Sequence, residues 1–238
     1  MQYKAIIKNL ILFLLPKAIK LELRKLPPYS NLSYSQEGED LILQRILDNK
    51  TNGFYVDVGA HHPTRFSNTY FFYLKGWRGI NIDAMPGSMK AFDEVRPEDI
   101  NIECPISEKV EELKFYIFNE PALNTFSEKE AQKKNGLFGY QILEEKILLT
   151  NTLSNILTNH LKEKQQIDFF SIDVEGLDLR VLMSNDWNNF RPTVILVEDL
   201  NHELEYIYER GSVKQYLQSQ GYKLFAKTVN TLFFILEG

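Results

Sequence analysis

Acidic side chains at the ends of short apolar runs are the residues of this chain best suited to chemistry. Asp57 lies in Phe54-Tyr55-Val56-Asp57-Val58 and is followed at once by Gly59, Ala60 and His61. A glycine after a strand lets the backbone approach a ligand closely, and a carboxylate beside it accepts hydrogen bonds from a cationic or hydroxyl-bearing cofactor. Asp83 ends the next run, Asn81-Ile82-Asp83-Ala84, 26 residues after Asp57. An acid at the end of a second strand suits both hydroxyls of a ribose. Asp173 and Glu175 stand at i and i+2 in Ile172-Asp173-Val174-Glu175-Gly176, on one face of the chain if the extension persists. Such a pair steers a cationic ligand. With a third carboxylate from Glu198 or Asp199, it equally suits a hard divalent cation such as magnesium.

For a proton acceptor, His61 and His62 come first, because imidazole titrates near neutrality, with Asp173, Glu175 and His202 behind them. The competing reading of a histidine in such a turn is a backbone hydrogen bond and nothing more. Missing motifs narrow the ligand. No glycine follows Gly59 before Gly76, so the G-x-G-x-x-G cradle of a dinucleotide is absent, and there is no G-x-x-x-x-G-K-[ST] loop for nucleotide hydrolysis.

These residues need a scaffold, and the chain has the material for one. Its 238 residues, 44% hydrophobic, suffice for one substantial core. A net charge of −5 gives no general attraction to phosphate backbones, so nucleic acid is not the expected partner. Cys104 is the single cysteine, which excludes an internal disulfide and a cysteine zinc cluster and fits a reducing, cytoplasmic setting.

Short apolar runs alternate with amphipathic stretches, the pattern of a parallel sheet covered by helices. Strands are predicted at 54–58, 79–83, 100–104, 167–173 and 193–198, with an added strand at 112–118 at an edge. A closing hairpin is predicted from 222–226 and 231–236, turning through Asn230. The segment Ser35-Gln36-Glu37-Gly38-Glu39-Asp40 opens a helix whose buried face is Leu41, Ile42, Leu43, Ile46 and Leu47. Phe66, Tyr70, Phe71, Phe72 and Tyr73 read mainly as core on the helix after the first strand. The polar stretch 119–141, with Pro121, Gly136 and Gly139, interrupts the rhythm and is expected either to shape the substrate side or to run free over the surface.

Residues 1–33 form a separate lead segment, and 34–238 the main domain. The lead carries an apolar run at 6–15 flanked by Lys4, Lys17 and Lys20, interrupted by Lys8 and Asn9 and ended by Pro16. That is too short to span a bilayer, where about 20 apolar residues are needed. Residues 4–20 are expected to pack on the domain or on a second copy in a homodimer, or to lie peripherally on anionic lipid at the inner membrane face.

Four motifs in order carry a family resemblance. Tyr34-Ser35-Gln36-Glu37-Gly38-Glu39-Asp40, Val56-Asp57-Val58-Gly59-Ala60-His61, Gly76-Trp77-Arg78-Gly79 with Asp83, and Ile172-Asp173-Val174-Glu175-Gly176 resemble the FkbM family of class I methyltransferases over about residues 34–236. The turn after the first strand is reduced to Gly59, and Asp83 stands where a glutamate is common. The resemblance implies a Rossmann-like α/β fold with a seven-stranded, mostly parallel sheet and helices on both faces. It also implies S-adenosylmethionine as methyl donor and O-methylation of a sugar, glycan or other hydroxyl-bearing acceptor. By the same resemblance, Ser35, Gln36 and Asp40 border the cofactor. Asp57, Gly59, Ala60, Asp83, Ser107 and Asp173 complete the expected contacts. The rival expectations are a nicotinamide-dependent oxidoreductase and a non-catalytic nucleotide-binding scaffold.

Overall fold

The computed structural model describes residues 29–237 apart from 49, 164, 201–202, 205–206 and 208–211. The chain divides into a lead unit, Met1–Leu32, and a body, Ser33–Gly238, to which every element below belongs. The apolar run at 6–15 and the candidate base His202 lie outside the described residues. Among those residues no helix is long and apolar enough to cross a membrane.

The first helix, α1 (Glu39–Ile46), starts behind Gly38, whose φ of 87° breaks the incoming chain. Then follow β1 (Phe54–Val58), α2 (Tyr70–Leu74), β2 (Arg78–Asp83), α3 (Met89–Val95) and β3 (Ile100–Glu103). The second half returns through β6 (Phe169–Ile172), α6 (Asp178–Met183), β7 (Val194–Glu198), α7 (Ser212–Ser219), β8 (Tyr222–Lys227) and β9 (Thr231–Leu236). Between the halves lie β4 (Glu112–Phe118), α4 (Glu128–Lys134), β5 (Ile142–Leu149) and α5 (Leu153–His160).

Seven strands form one sheet in the order β3-β2-β1-β6-β7-β9-β8. All its pairings are parallel except those made by β9, which runs antiparallel to β7 and β8. The central strands read as nearly unbroken apolar runs because both faces are covered. On one face Val56, Val58, Ile80, Ile82, Phe170 and Ile172 pack with α5, α6 and α7 through Leu157, Val181 and Leu217. On the other, Tyr55, Phe169, Val194 and Leu196 pack with Leu43 of α1 and Phe72 of α2. Phe72 is thus core, as expected, whereas Phe66 is 45% exposed.

The predicted extra strand at 112–118 exists, but it does not join the main sheet. It pairs antiparallel with β5, which the sequence pattern did not reveal, in a separate two-stranded ribbon. The stretch 119–141 fills the connection between them with α4 and two short 3-10 turns, Pro121–Leu123 and Leu137–Gly139.

The chain runs outward from β1 to β2 and β3, then returns to β6 on the opposite side of β1. This reversal opens a crevice beyond the carboxyl ends of β1 and β6, where ligands bind in such sheets. Val58 is in register with both Ile82 and Ile172, and Ile172 with Val197. The residues that follow, Gly59, Asp83, Asp173 and Glu198, therefore emerge side by side along one edge.

Candidate active site

A cavity of about 380 Å³ opens over that edge. Asp57, Gly59, Ala60, His61, Asp83, Asp173 and Glu175 all line it, as does Gln36. The strand register alone brings together acids that are more than a hundred residues apart in the chain.

Asp57 is 5% exposed, and burial raises its pKa against the lowering effect of the Thr69 hydroxyl, which donates to Oδ2 at 2.8 Å. Asp83 accepts two main-chain N–H groups, His61 N on Oδ2 at 2.9 Å and Met85 N on Oδ1 at 2.8 Å. Those bonds fix the turns after β1 and β2 to each other and leave its other lone pairs for a ligand. Enclosure still pushes its pKa upward.

His61 has a φ of 52°, and its buried Nε2 has no hydrogen-bond partner. Burial lowers its pKa, so the ring is neutral at physiological pH. His62 is the bland alternative made real: its Nδ1 accepts the main-chain N–H groups of Thr64 and Arg65 at 3.1 and 3.0 Å, and it is absent from the lining.

At the far end Asp173, Glu175 and Glu198 place carboxylate oxygens within 4.8 Å of one another. Asp173 is an exposed residue whose carboxylate faces the cavity, and partial desolvation of that carboxylate, with Asp178 and Glu175 nearby, shifts its pKa upward. Glu198 is raised by burial and by the charge of Asp173. Like charges this close disfavour each other's ionisation. Glu175 is ion-paired: Lys134 Nζ of α4 meets its Oε2 at 2.7 Å. The Thr125 hydroxyl also donates to the Glu175 main-chain oxygen at 2.7 Å, so the 119–141 stretch docks on this loop.

The third close carboxylate is Glu198, whereas Asp199 lies outside the lining and accepts Lys227 Nζ through its main-chain oxygen at 2.9 Å. Lys134 already supplies a positive charge against Glu175, so the donor set is poorly suited to magnesium. No catalytic step is assigned to a metal.

Ser35, Asp40 and Ser107 are also outside the lining. Asp40 is fully buried and accepts from Ser33 Oγ at 2.6 Å, Ser35 Oγ at 3.0 Å and Tyr34 N at 2.7 Å, so these groups tie their own loop. That loop is fastened to the β8–β9 turn by Asn230 N on Glu37 and the Thr228 hydroxyl on Glu39, both at 2.9 Å, and it brings Gln36 and Asn230 to the rim together. Ser107 is buried behind Ile106, its N–H donating to the Asn151 main-chain oxygen at 2.9 Å.

Three contributors were not anticipated. Asn68 lines the wall and donates to the Ser171 hydroxyl at 3.1 Å; Lys134 neutralises Glu175; Arg96 supports the β1 turn from behind. None belongs to a local pattern. The aromatic wall of Phe66, Phe115 and Phe126 likewise assembles from separate segments.

The sequence model of the family described as Methyltransferase FkbM domain matches residues 57–224. Among solved structures, a candidate RNA methyltransferase of Pyrococcus horikoshii is similar at 10% identity over 93% of this chain and 99% of its own, with a TM-score of 0.44. The precorrin-6y C5,15-methyltransferase of Geobacter metallireducens is similar at 9% identity over 84% and 87%, with a TM-score of 0.42. A methyltransferase of Geobacter sulfurreducens is similar at 9% identity over 94% and 98%, with a TM-score of 0.43. No curated protein matches the chain.

Proposed function

The chain belongs to the FkbM methyltransferase family, and on that premise we propose that it methylates a hydroxyl group of a sugar or glycan. The fold is the Rossmann-like class I methyltransferase fold, which implies S-adenosylmethionine as cofactor. That cofactor supplies an electrophilic methyl group on a cationic sulfur.

The observation that carries the reading is the convergence of Asp57, Asp83, Asp173 and Glu198 on one cavity at the sheet's reversal point. Asp83 suits ribose hydroxyls, and the acidic surroundings favour a cationic ligand over a pyrophosphate. Cavity size agrees, since small-molecule sites run to roughly 300–1,000 Å³. Phe66, Phe115 and Phe126 beside the carboxylates support a carbohydrate acceptor, because ring faces pack on sugar C–H groups while carboxylates accept from hydroxyls.

Methyl transfer needs a hydroxyl oxygen held in line and a group to take its proton. Asp173, whose carboxylate faces the cavity beside Glu198, is the base. His61, with its pKa lowered, is a weaker one and serves as a neutral hydrogen-bonding wall. Glu175, held by Lys134, anchors the insertion over the site.

The test is transfer of labelled methyl from S-adenosylmethionine to a panel of neutral oligosaccharides, nucleotide sugars and non-sugar alcohols. A methyl ether on a sugar hydroxyl is expected. Transfer only to nitrogen or to non-sugar acceptors would overturn the acceptor assignment.

A further inference from the structure

We propose that Arg96 is a positioning residue of this site, acting on Asp57 through the Thr69 hydroxyl and on the turn that carries His61 through Pro63 and Ser67. The inference rests on the cofactor reading above and adds a residue that does not itself line the cavity.

Arg96 is fully buried just past α3. An unpaired charge in such a place is costly, so its donors report what it is there to hold. Nη1 donates to Thr69 Oγ1 at 2.8 Å and to Asn81 Oδ1 at 3.2 Å; Nη2 donates to Ser67 Oγ at 2.7 Å and to the Pro63 main-chain oxygen. The rings of Tyr70, Phe92 and Tyr73 lie 5.2, 5.4 and 5.7 Å from the guanidinium carbon. Its nearest acid, Asp99, is 4.0 Å away and already accepts from Tyr55, Gly79 and Asn81. Arg96 is therefore directed at the 63–69 turn more than at Asp99.

The relay has one direction. Thr69 has a single hydroxyl proton, and because its oxygen accepts from Arg96, that proton goes to Asp57 Oδ2 at 2.8 Å. Asp57 faces Asp83 from β2 and Asp173 from the end of β6, both acidic, and the Ser171 hydroxyl from β6; the Tyr55 phenol lies on its own strand. Against these Arg96 supplies positive charge, and Thr69 supplies the hydrogen bond that holds the carboxylate ionised and aimed. Loss of the relay should let Asp57 take a proton at higher pH.

The experiment is calorimetric titration of S-adenosylhomocysteine into wild type, Thr69→Val and Thr69→Ser between about pH 6 and 8.5. Thr69→Val should lose about tenfold affinity at the acidic end and about twofold at the alkaline end, a shift of about one pH unit. Thr69→Ser should restore most of the loss. Thr69→Val matching wild type throughout, or losing the same factor at every pH, would overturn the relay. If Thr69→Val does not fold, Arg96→Lys replaces it: the fork that orients the Thr69 hydroxyl is lost, so affinity should again fall more at the acidic end than at the alkaline end, and wild-type affinity or an equal loss at every pH would overturn the proposal. A wild-type protein that binds no S-adenosylhomocysteine would overturn the cofactor reading, and the relay with it.

Discussion

Gly59 and Asp173 touch where β1 and β6 end: a Cβ on Gly59 would overlap the main-chain oxygen of Asp173. The contact is locked by Asp173 N donating to Val58 O and Gly59 N donating to Ile82 O, both at 2.9 Å. With φ at +82°, Gly59 also occupies backbone space that side chains disfavour. Gly59→Ala is expected to force the two turns apart, weakening S-adenosylhomocysteine more than about 100-fold and lowering Tm by several degrees, since strain and overlap together exceed about 3 kcal/mol. Gly38→Ala is the control. Its φ is +87°, yet nothing lies within 4 Å of the added carbon, so only the conformational cost of about 1–2 kcal/mol applies and the affinity should hold. Calorimetry and thermal melts on both variants check this.

The acid pair separates chemistry from binding. Asp173→Asn and Glu198→Gln are each expected to reduce the single-turnover methyl-transfer rate by about 10²–10⁴-fold, the usual worth of a positioned base. S-adenosylhomocysteine affinity should change by only a few fold. A full rate in Asp173→Asn would transfer the role to His61.

Lys134 takes the place a second positive ion would fill beside Glu175. A chelator is therefore expected to leave the wild-type rate unchanged, and magnesium to leave its Tm unchanged. Lys134→Met exposes three uncompensated carboxylates within 4.8 Å, and this variant should gain a magnesium-dependent rise in Tm. A chelator-sensitive wild type would contradict this account of the charge balance.

Stability should carry a pH signature of the same cluster. Burial raises Asp178 to about 6 although Val174 N and Gly176 N donate to it, and Asp173 and Glu198 are raised as well. An acid with a raised folded-state pKa binds its proton more tightly folded than unfolded. Stability is therefore lost as pH rises from the unfolded value of 3.8 through the folded value of about 6 for Asp178. Urea unfolding at pH 5.5 should give a stability about 1 kcal/mol above that at pH 7.5. Equal stability at the two values would show that the carboxylates are not buried against one another.

Legibility from sequence followed the periodic signal. Phe54–Val58 and Thr231–Leu236 were read to the residue because both are dense in aromatic and β-branched side chains. Ile142–Leu149 was missed because Glu144, Glu145 and Lys146 occupy its centre. A solvent-facing ribbon tolerates those charges and the main sheet would not, so the pattern that marks a core strand is absent. The site acids were legible because strand ends in a parallel sheet converge on one edge. Arg96 and Lys134 were not: Thr69 is 27 residues from one and Glu175 is 41 from the other, and no local spacing encodes either partnership. Ser35 and Asp40 gave a true local signal, and in the structure they tie their own loop together.

The single-glycine turn and the flanking acids suit a sulfonium nucleoside rather than a dinucleotide. Parallel calorimetric titrations of S-adenosylhomocysteine and NAD into the wild-type chain at about pH 8 test it most directly. One-to-one binding of S-adenosylhomocysteine, abolished by Asp83→Ala, is expected, with no heat of binding for NAD. Binding of NAD without S-adenosylhomocysteine would contradict it.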